Sequence, residues 1–560
     1  MKTFKYIGLT LVATTMMVAS CSDFDDYNTV PTDVTASANK TLWENISANS
    51  ELSDFAALVK KAGYDDELSA AHYYTVWAPL NGTYDAASLM NEDSAMVLQR
   101  FVKCHIAEYN HNVSGPVDER IHTLNQKSFS FMGDGQYTYD GQTITQLNLP
   151  SSNGVMHVMS GMATFYPNVY EYLSTGTGID SLQSYFHHYD ISYLDPDRSV
   201  LGPMVNGKQT YIDSVMVTYN QMLNRLSVLA SSEDSSYTML MPTNEAWIAA
   251  YNHIKPYFHY INTTSAQDIA NATSATSAPT VSVTVDAKYL TDSLTRYYIV
   301  NNLFFNNNNG YNRWLVDESA ENKDTLLSTL HNKLSNPQEI LARTSNPEKL
   351  SNGFARVADS LAFRSWETWN PTIAFTPTSS YVKVWNGSSY MVNMHITDPE
   401  AAGLEPGTTN VRFIHVQPTS NYSKPELDVI LPNVLSTTYN ISIVTAPGLW
   451  DASDTTALRP NQFDFSLSYC NAANKLQTIK LNQKVENDWT KIDTVKVGTF
   501  EFPVAYRGLS TDRRYSPNLK ITTDFTVFNR PAMAKYTRDF KIISIILRPV
   551  EEDEYLSKEK

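Results

Sequence analysis

The sequence predicts a multidomain α+β chain: two tandem α/β domains, then an all-β sandwich of jelly-roll type. Three observations predict it. A strand that runs through a proline towards a helix occurs twice, in Tyr74-Thr75-Val76-Trp77-Ala78-Pro79-Leu80-Asn81 and in Ser236-Tyr237-Thr238-Met239-Leu240-Met241-Pro242-Thr243-Asn244-Glu245-Ala246-Trp247. An Asn-Gly pair opening an alternating segment follows each of them, at Asn153-Gly154 and Asn352-Gly353. From about Thr376 the helical period gives way to short alternating runs divided by turn signals. Two segments repeated in the same order argue for internal duplication.

The chain opens on an address. Lys2 and Lys5 precede an apolar run at residues 7–18, which is too short to span a membrane. The run ends at Val18-Ala19-Ser20-Cys21, the small-residue pattern before a cysteine that a lipoprotein signal peptidase accepts. Residues 1–20 are therefore expected to be a signal peptide, with Cys21 the lipidated N-terminus. Several acyl chains there would make a lasting anchor. The acidic run Ser22-Asp23-Phe24-Asp25-Asp26 resembles the surface-export signal of Bacteroidetes lipoproteins, and an ordinary solvated tether is the other reading. Residues 21–40 read as a flexible spacer.

The first α/β domain is placed at residues 41–175. Leu42, Trp43, Ile46, Leu52, Phe55, Leu58 and Val59 fall at helical spacing, and Lys60, Lys61 and Gly63 close the helix. Tyr237, Met239 and Met241 alternate with Thr238 and Leu240, as in a strand with one buried face; Thr243 is the helix N-cap after Pro242 and Glu245 lies in its first turn. At the earlier junction Leu80 stands in the Thr position, so Asn81 is expected to cap one residue later. Each Asn-Gly pair reads as a type I′ turn. Residues 129–139 read as two strands about Gly133-Asp134-Gly135, and the spacing of Asp134 and Asp140 does not suit a calcium loop.

The second α/β domain is placed at 181–375. It carries one insert rich in turn signals (Asp195-Pro196-Asp197, Gly202-Pro203, Asn206-Gly207) and another at 263–279, mostly Thr, Ser, Ala and Asn, expected to be a mobile loop. His187-His188 has no further ligands at metal-binding spacing and reads as helix surface. Strands are expected at 381–385, 390–394, 411–416, 439–445, 463–469, 491–497, 521–528 and 540–547, within a β-sandwich at 376–550. The acidic tail at 551–560 is expected to be disordered.

Both junctions resemble the first signature motif of fasciclin domains, and Asn153-Gly154-Val155-Met156-His157-Val158-Met159 resembles their closing motif. Asn352-Gly353-Phe354-Ala355-Arg356-Val357-Ala358-Asp359 fits with Arg356 in the His place. Lys103-Cys104-His105-Ile106 and Arg296-Tyr297-Tyr298-Ile299 are the candidates for the Tyr-His or similar pair that the family carries in a central helix. The resemblance implies adhesion or protein–protein interaction rather than catalysis.

The formal charge is −16, and removing the two signal-peptide lysines takes it to about −18. That balance argues against nucleic acid and against electrostatic binding to anionic lipid. Beyond Cys21 only Cys104 and Cys470 remain, too few for a disulfide framework, and Cys104 reads as a buried thiol. No nucleophile elbow, phosphate loop or zinc helix is present, so no catalytic residue, cofactor or metal is expected. Trp366, Trp369 and Tyr311 are the candidate ligand or interface aromatics, against core packing as the plain alternative. The segment Trp366-Glu367-Thr368-Trp369-Asn370-Pro371 is the expected domain hinge.

The function expected is that of a non-catalytic outer-membrane lipoprotein, an accessory binding subunit of a SusC/SusD-type nutrient uptake complex. Its partners would be a TonB-dependent channel and a SusD-like lipoprotein, and its ligand a glycan or peptide. A free-standing adhesin for host or neighbouring-cell matrix is the alternative. A surface glycoside hydrolase is the third reading, and it would need a carboxylate pair across a cleft.

Overall fold

In the computed structural model the described residues are 36–558, apart from 197–199, 214–215, 263–285, 318, 321–322, 379–388, 397–399, 401–403, 405–410, 449–458 and 510–515. Cys21, the insert at 263–279 and the strand expected at 381–385 lie outside them. Two compact units emerge: Met1–Gly176 with Leu229–Tyr237 and Pro347–Ala355, and Thr177–Val228 with Thr238–Asn346 and Arg356–Lys560.

The first unit is built on a seven-stranded sheet in the order Ile106–Glu108, Tyr74–Pro79, Gly154–Met159, Gln142–Ser151, Gln136–Tyr139, Ser128–Asp134, Val117–His122. Tyr74–Pro79 and Gly154–Met159 run parallel at its heart. Every residue of both is buried. Val76 and Ala78 pack on Leu42, Ile46, Phe55, Leu58 and Val59 from the helices Leu42–Ala48 and Ser53–Lys61. Trp77 points the other way, into a cluster with Phe129, Phe131, Tyr139 and Ile144. The apolar run read as one helix is two, divided by a 3₁₀ turn at Ser50–Leu52.

The Asn-Gly pairs are not type I′ turns. The registers Ser151↔Gly154 and Leu350↔Gly353 centre the turns on Ser152-Asn153 and Ser351-Asn352, and neither asparagine takes a positive φ. Their side chains explain them instead. Asn153 Oδ1 accepts the Leu42 N–H at 2.8 Å, and its Nδ2 donates to the Leu68 and Ala70 carbonyls at 2.9 and 2.7 Å. Asn352 does the same at Val169 N–H (2.9 Å) and the Ala230 and Ser232 carbonyls (2.8 and 3.0 Å). The glycines let the neighbouring strand come close: a Cβ at Gly154 would lie 2.1 Å from the Tyr74 carbonyl oxygen, and one at Gly353 1.8 Å from that of Tyr237. The Asn-Gly that does form a two-residue turn with both φ positive is Asn206-Gly207, between the insert strands Val200–Val205 and Lys208–Asp213.

Tyr237–Pro242 lies between Phe304–Asn306 and Gly353–Ala358, and it too is buried throughout, so the expectation of one buried face fails there. Thr243 Oγ1 accepts the Ala246 N–H at 3.1 Å and starts the helix Asn244–Ile254, as expected. Asn81 does not cap a helix of its own. It accepts the Asp54 N–H at 2.9 Å, across space, in the first turn of Ser53–Lys61. Asn244 accepts the Ser181 N–H at 2.9 Å in the first turn of Asp180–His187.

Further on, two antiparallel sheets share one apolar core. One runs Ser389–His395, Arg412–Pro418, Phe540–Pro549, Thr438–Thr445, Asp493–Glu501, with Ile373–Phe375 also paired to Phe540–Pro549. The other runs Glu426–Ile430, Asn518–Thr522, Gln462–Cys470, Leu476–Lys480, with Val485–Glu486 on Gln462–Cys470. Thr438–Thr445 alternates half-buried and buried residues along its whole length, the period of a strand facing one core. The strand expected at 521–528 ends at Thr522, and Glu426–Ile430 and Leu476–Lys480 were not expected.

The division into two units does not fall at 375/376, since Arg356–Lys560 lies within one of them. The helical part is stitched to the sheets there: Ser436 Oγ donates to the Pro256 carbonyl at 2.7 Å and Ala505 N–H to that of His259 at 2.7 Å. Nor is the acidic tail irregular. Val550–Lys558 is a helix with its acids in the first turn, where the dipole favours them. Glu551 accepts from the hydroxyls of Tyr257 (2.5 Å) and Ser365, and Asp553 from Asn440 Nδ2 at 2.6 Å.

Each clasp asparagine satisfies three backbone groups, and truncation would strand them. Asn153→Ala and Asn352→Ala are each expected to cost about 2–4 kcal/mol in urea denaturation, and Asn153→Asp, which loses both donors, a comparable amount.

Candidate functional site

The first unit holds a polar cleft of about 430 Å³. Arg120, Lys127 and Lys349 face it along with Asp118, Glu119 and Asp140, three charges of each sign. The strand Val117–His122 carries Arg120, and the register His122↔Ser128 places Lys127 at the end of its hairpin. Lys127 is 3% exposed. Its Nζ donates to Glu171 Oε2 at 2.5 Å, Glu233 Oε1 at 3.0 Å and Ser351 Oγ at 3.3 Å, and it lies 5.4 Å from the Phe165 ring centre. Glu171 is held in turn by a capping box with Asn168 at the start of Val169–Thr175. Glu233 also accepts from Ser351 Oγ at 2.9 Å, and Arg120 donates to the Glu233 backbone carbonyl. Asp140 Oδ2 accepts the Thr164 N–H at 2.8 Å, and burial raises its pKa above the ordinary carboxylate value. Lys349 stands 4.4 Å over the Tyr166 ring. Lys127 thus spends its donors inside the protein.

Two buried histidines sit beside the central strands. His105 Nε2 accepts the Ala163 N–H at 3.0 Å while Nδ1 meets the Phe101 carbonyl at 2.8 Å, which puts the proton on Nδ1. His157 Nδ1 accepts the Asn148 N–H at 3.3 Å and Nε2 faces the His111 carbonyl at 3.1 Å, the opposite tautomer. Trp77 stacks between Tyr139 and His157 at 4.4 and 5.7 Å. Burial lowers both histidine pKa values to about 4. Cys104 is buried, takes the Asn125 Nδ2–H at 3.0 Å and has its pKa pushed up to about 12, so it is a thiol at neutral pH.

The candidate aromatics part company. Trp369 is 2% exposed and packs edge-on against Tyr257 and His253 at 5.8 and 5.5 Å, so it is core and cannot meet a ligand. The residues on both sides of its segment belong to one unit. Trp366 is half-buried against Tyr555 at 5.3 Å, and Tyr311 is half-buried under Lys333 at 5.2 Å. Lys127, Glu171 and Glu233 escape sequence reading because 44 and 106 residues separate the partners. Among the described residues no cluster of three or more His, Cys, Asp or Glu is arranged for a metal ion, and no helix is long and apolar enough to cross a membrane.

Comparison with known proteins identifies residues 50–163 as a fasciclin domain. No curated protein matches the chain. Among solved structures, the chain is similar to a FAS1 domain pair from the insect cell adhesion molecule fasciclin I, with 13% identity, 58% of this chain and 99% of that one covered, and a TM-score of 0.20. It is also similar to the CBM22-1 and GH10 modules of Clostridium thermocellum endo-1,4-β-D-xylanase 10B complexed with xylohexaose (14% identity, 31% of this chain, 28% of that one, TM-score 0.19). A third similarity is to the CBM22-1 xylan-binding domain of Paenibacillus barcinonensis Xyn10C (12% identity, 32% and 93%, TM-score 0.19).

Two outcomes follow from this geometry. Lys127→Ala removes the cation from two carboxylates and is expected to cost about 3–5 kcal/mol in urea denaturation. For the histidines the folded pKa lies below the unfolded value of 6.5. Stability is therefore complete above pH 6.5 and falls as the pH drops from 6.5 to about 4, while only the unfolded chain takes up protons. The loss expected is about 3 kcal/mol per histidine, read from urea midpoints across that interval.

Proposed function

We propose that this chain is a non-catalytic, lipid-anchored surface protein that works by binding. In this reading two tandem fasciclin-like domains are joined to a jelly-roll-like β-sandwich. The observation that carries it is the fasciclin domain at 50–163, together with the return of its asparagine clasp, bond for bond, at Asn352. Fasciclin domains serve adhesion, and a repeat of the same clasp supports a second domain of that kind.

The anchor in this reading is Cys21, supported by the small residues before it and the acidic run behind it. A protein so displayed on the outer membrane would serve as an accessory subunit of a SusC/SusD-type uptake complex, beside a TonB-dependent channel and a SusD-like lipoprotein. The test is gentle detergent extraction of outer membranes carrying the tagged native protein, then mass spectrometry. Stoichiometric channel and SusD-like protein are expected, and Cys21→Ala should release the chain from the membrane fraction. Recovery of the anchored protein alone would sink the uptake reading and leave a free-standing adhesin.

A further inference from the structure

The second unit contains a groove between the helices Asp180–His187, Asn244–Ile254 and Ala287–Val300. One cavity of about 650 Å³ is lined by Tyr185, Tyr189, Trp247, Tyr289, Asp292 and Arg296 among others. A second, of about 710 Å³, adjoins it and shares Tyr289, Asp292 and Arg296. Each is within the range of small-molecule sites, roughly 300–1,000 Å³. Tyr289 is 67% exposed, an aromatic face left open on a 14-residue helix.

The lining has a definite chemistry. Asp292 is fixed by the Tyr251 hydroxyl, which donates to Oδ1 at 2.9 Å, and by Arg296 Nε, which lies 3.1 Å from Oδ2. An acceptor and a planar donor are thereby held side by side, one helical turn beyond the exposed ring. Tyr185 lies between Tyr189 and Trp247, with ring centres 5.4 and 5.6 Å away. Across both cavities Asp180, Asp286 and Asp292 balance Lys255, Lys288 and Arg296. Neither sign of charge dominates this lining, so it offers no clustered charge for an anion or a cation. Aromatic rings bury apolar faces, while a carboxylate–guanidinium pair takes hydroxyl groups as donor and acceptor at once. A neutral molecule with alternating apolar faces and hydroxylated edges meets all of these demands.

We propose that this groove binds a neutral oligosaccharide, one sugar ring stacked on Tyr289 and its hydroxyls bonded to Asp292 and Arg296. The proposal rests on the reading of the chain as a binding protein, but not on which protein it docks against.

The test is calorimetric titration of the full chain with cellohexaose, xylohexaose, maltohexaose and mannohexaose, alongside a neutral hexapeptide. At least one hexasaccharide is expected to bind. Tyr289→Ala and Asp292→Asn should each weaken it roughly tenfold, with thermal unfolding unchanged. Tyr422→Ala, at a ring 76% exposed on the β region, should leave the affinity as it was. Binding of no sugar, binding of the peptide alone, or sugar affinity indifferent to Tyr289 and Asp292 would overturn the proposal. A negative titration with a positive membrane extraction would leave the docking reading standing, and the reverse would leave this one.

Discussion

The first backbone N–H of the helix Leu42–Ala48 and that of Val169–Thr175 each point at an asparagine side-chain oxygen on a distant turn. The four leading N–H groups of a helix have no partner within it, and a buried one left unbonded costs as much as a lost hydrogen bond. Asn153 and Asn352 answer that need, and their amide groups bind two carbonyls of the segment that leads into the neighbouring strand. One side chain thus fixes a helix start, a strand entry and a hairpin. The glycine beside it admits the strand at a distance no Cβ would allow. The parallel pairing of Tyr74–Pro79 with Gly154–Met159 begins at this point, at Tyr74↔Gly154. The packing of both faces of the sheet follows from it.

The second unit is held by another means. Side-chain hydroxyls join its helical segments to its β region by donating to carbonyl and carboxylate oxygens at several separate points. Tyr439 donates to Asn370 Oδ1 at 2.7 Å, Tyr260 to the Arg507 carbonyl at 2.5 Å and Thr372 to Glu552 at 2.5 Å. Tyrosine suits this work because its ring joins the apolar interior while its hydroxyl reaches a polar partner. Tyr257, Tyr260 and Tyr439 of the chain's 34 tyrosines make such joints.

What was legible in the sequence was local. Thr243 as an N-cap needs only the next three residues, and the turn residues Gly133 and Gly135 only their own hairpin. The alternating β strands declared themselves because each has one face on a core. Asn81 was half read: the side chain suits a cap, but the N–H it takes is that of Asp54, 27 residues earlier in the chain, in the first turn of Ser53–Lys61. The tail was misread because a run of acids shows its charge and not the hydroxyls waiting for it. Trp369 was misread for a related reason: nothing in a tryptophan's neighbours along the chain says which side of a surface it will occupy.

The strand Phe540–Pro549 lies inside the larger β sheet, with Arg412–Pro418 and Thr438–Thr445 as its neighbours and Ile373–Phe375 along it as well. A central strand that comes so late in the chain makes assembly of the sheet a matter of timing. Whenever the polypeptide is delivered from its N-terminus, its partners emerge first and wait with open, hydrogen-bonding edges. This strand joins its partners only across separations of about 100 residues or more, the kind of topology that folds slowly and exposes its edges to other chains meanwhile. For this protein the interval between emergence and closure is the period in which a chaperone would matter most.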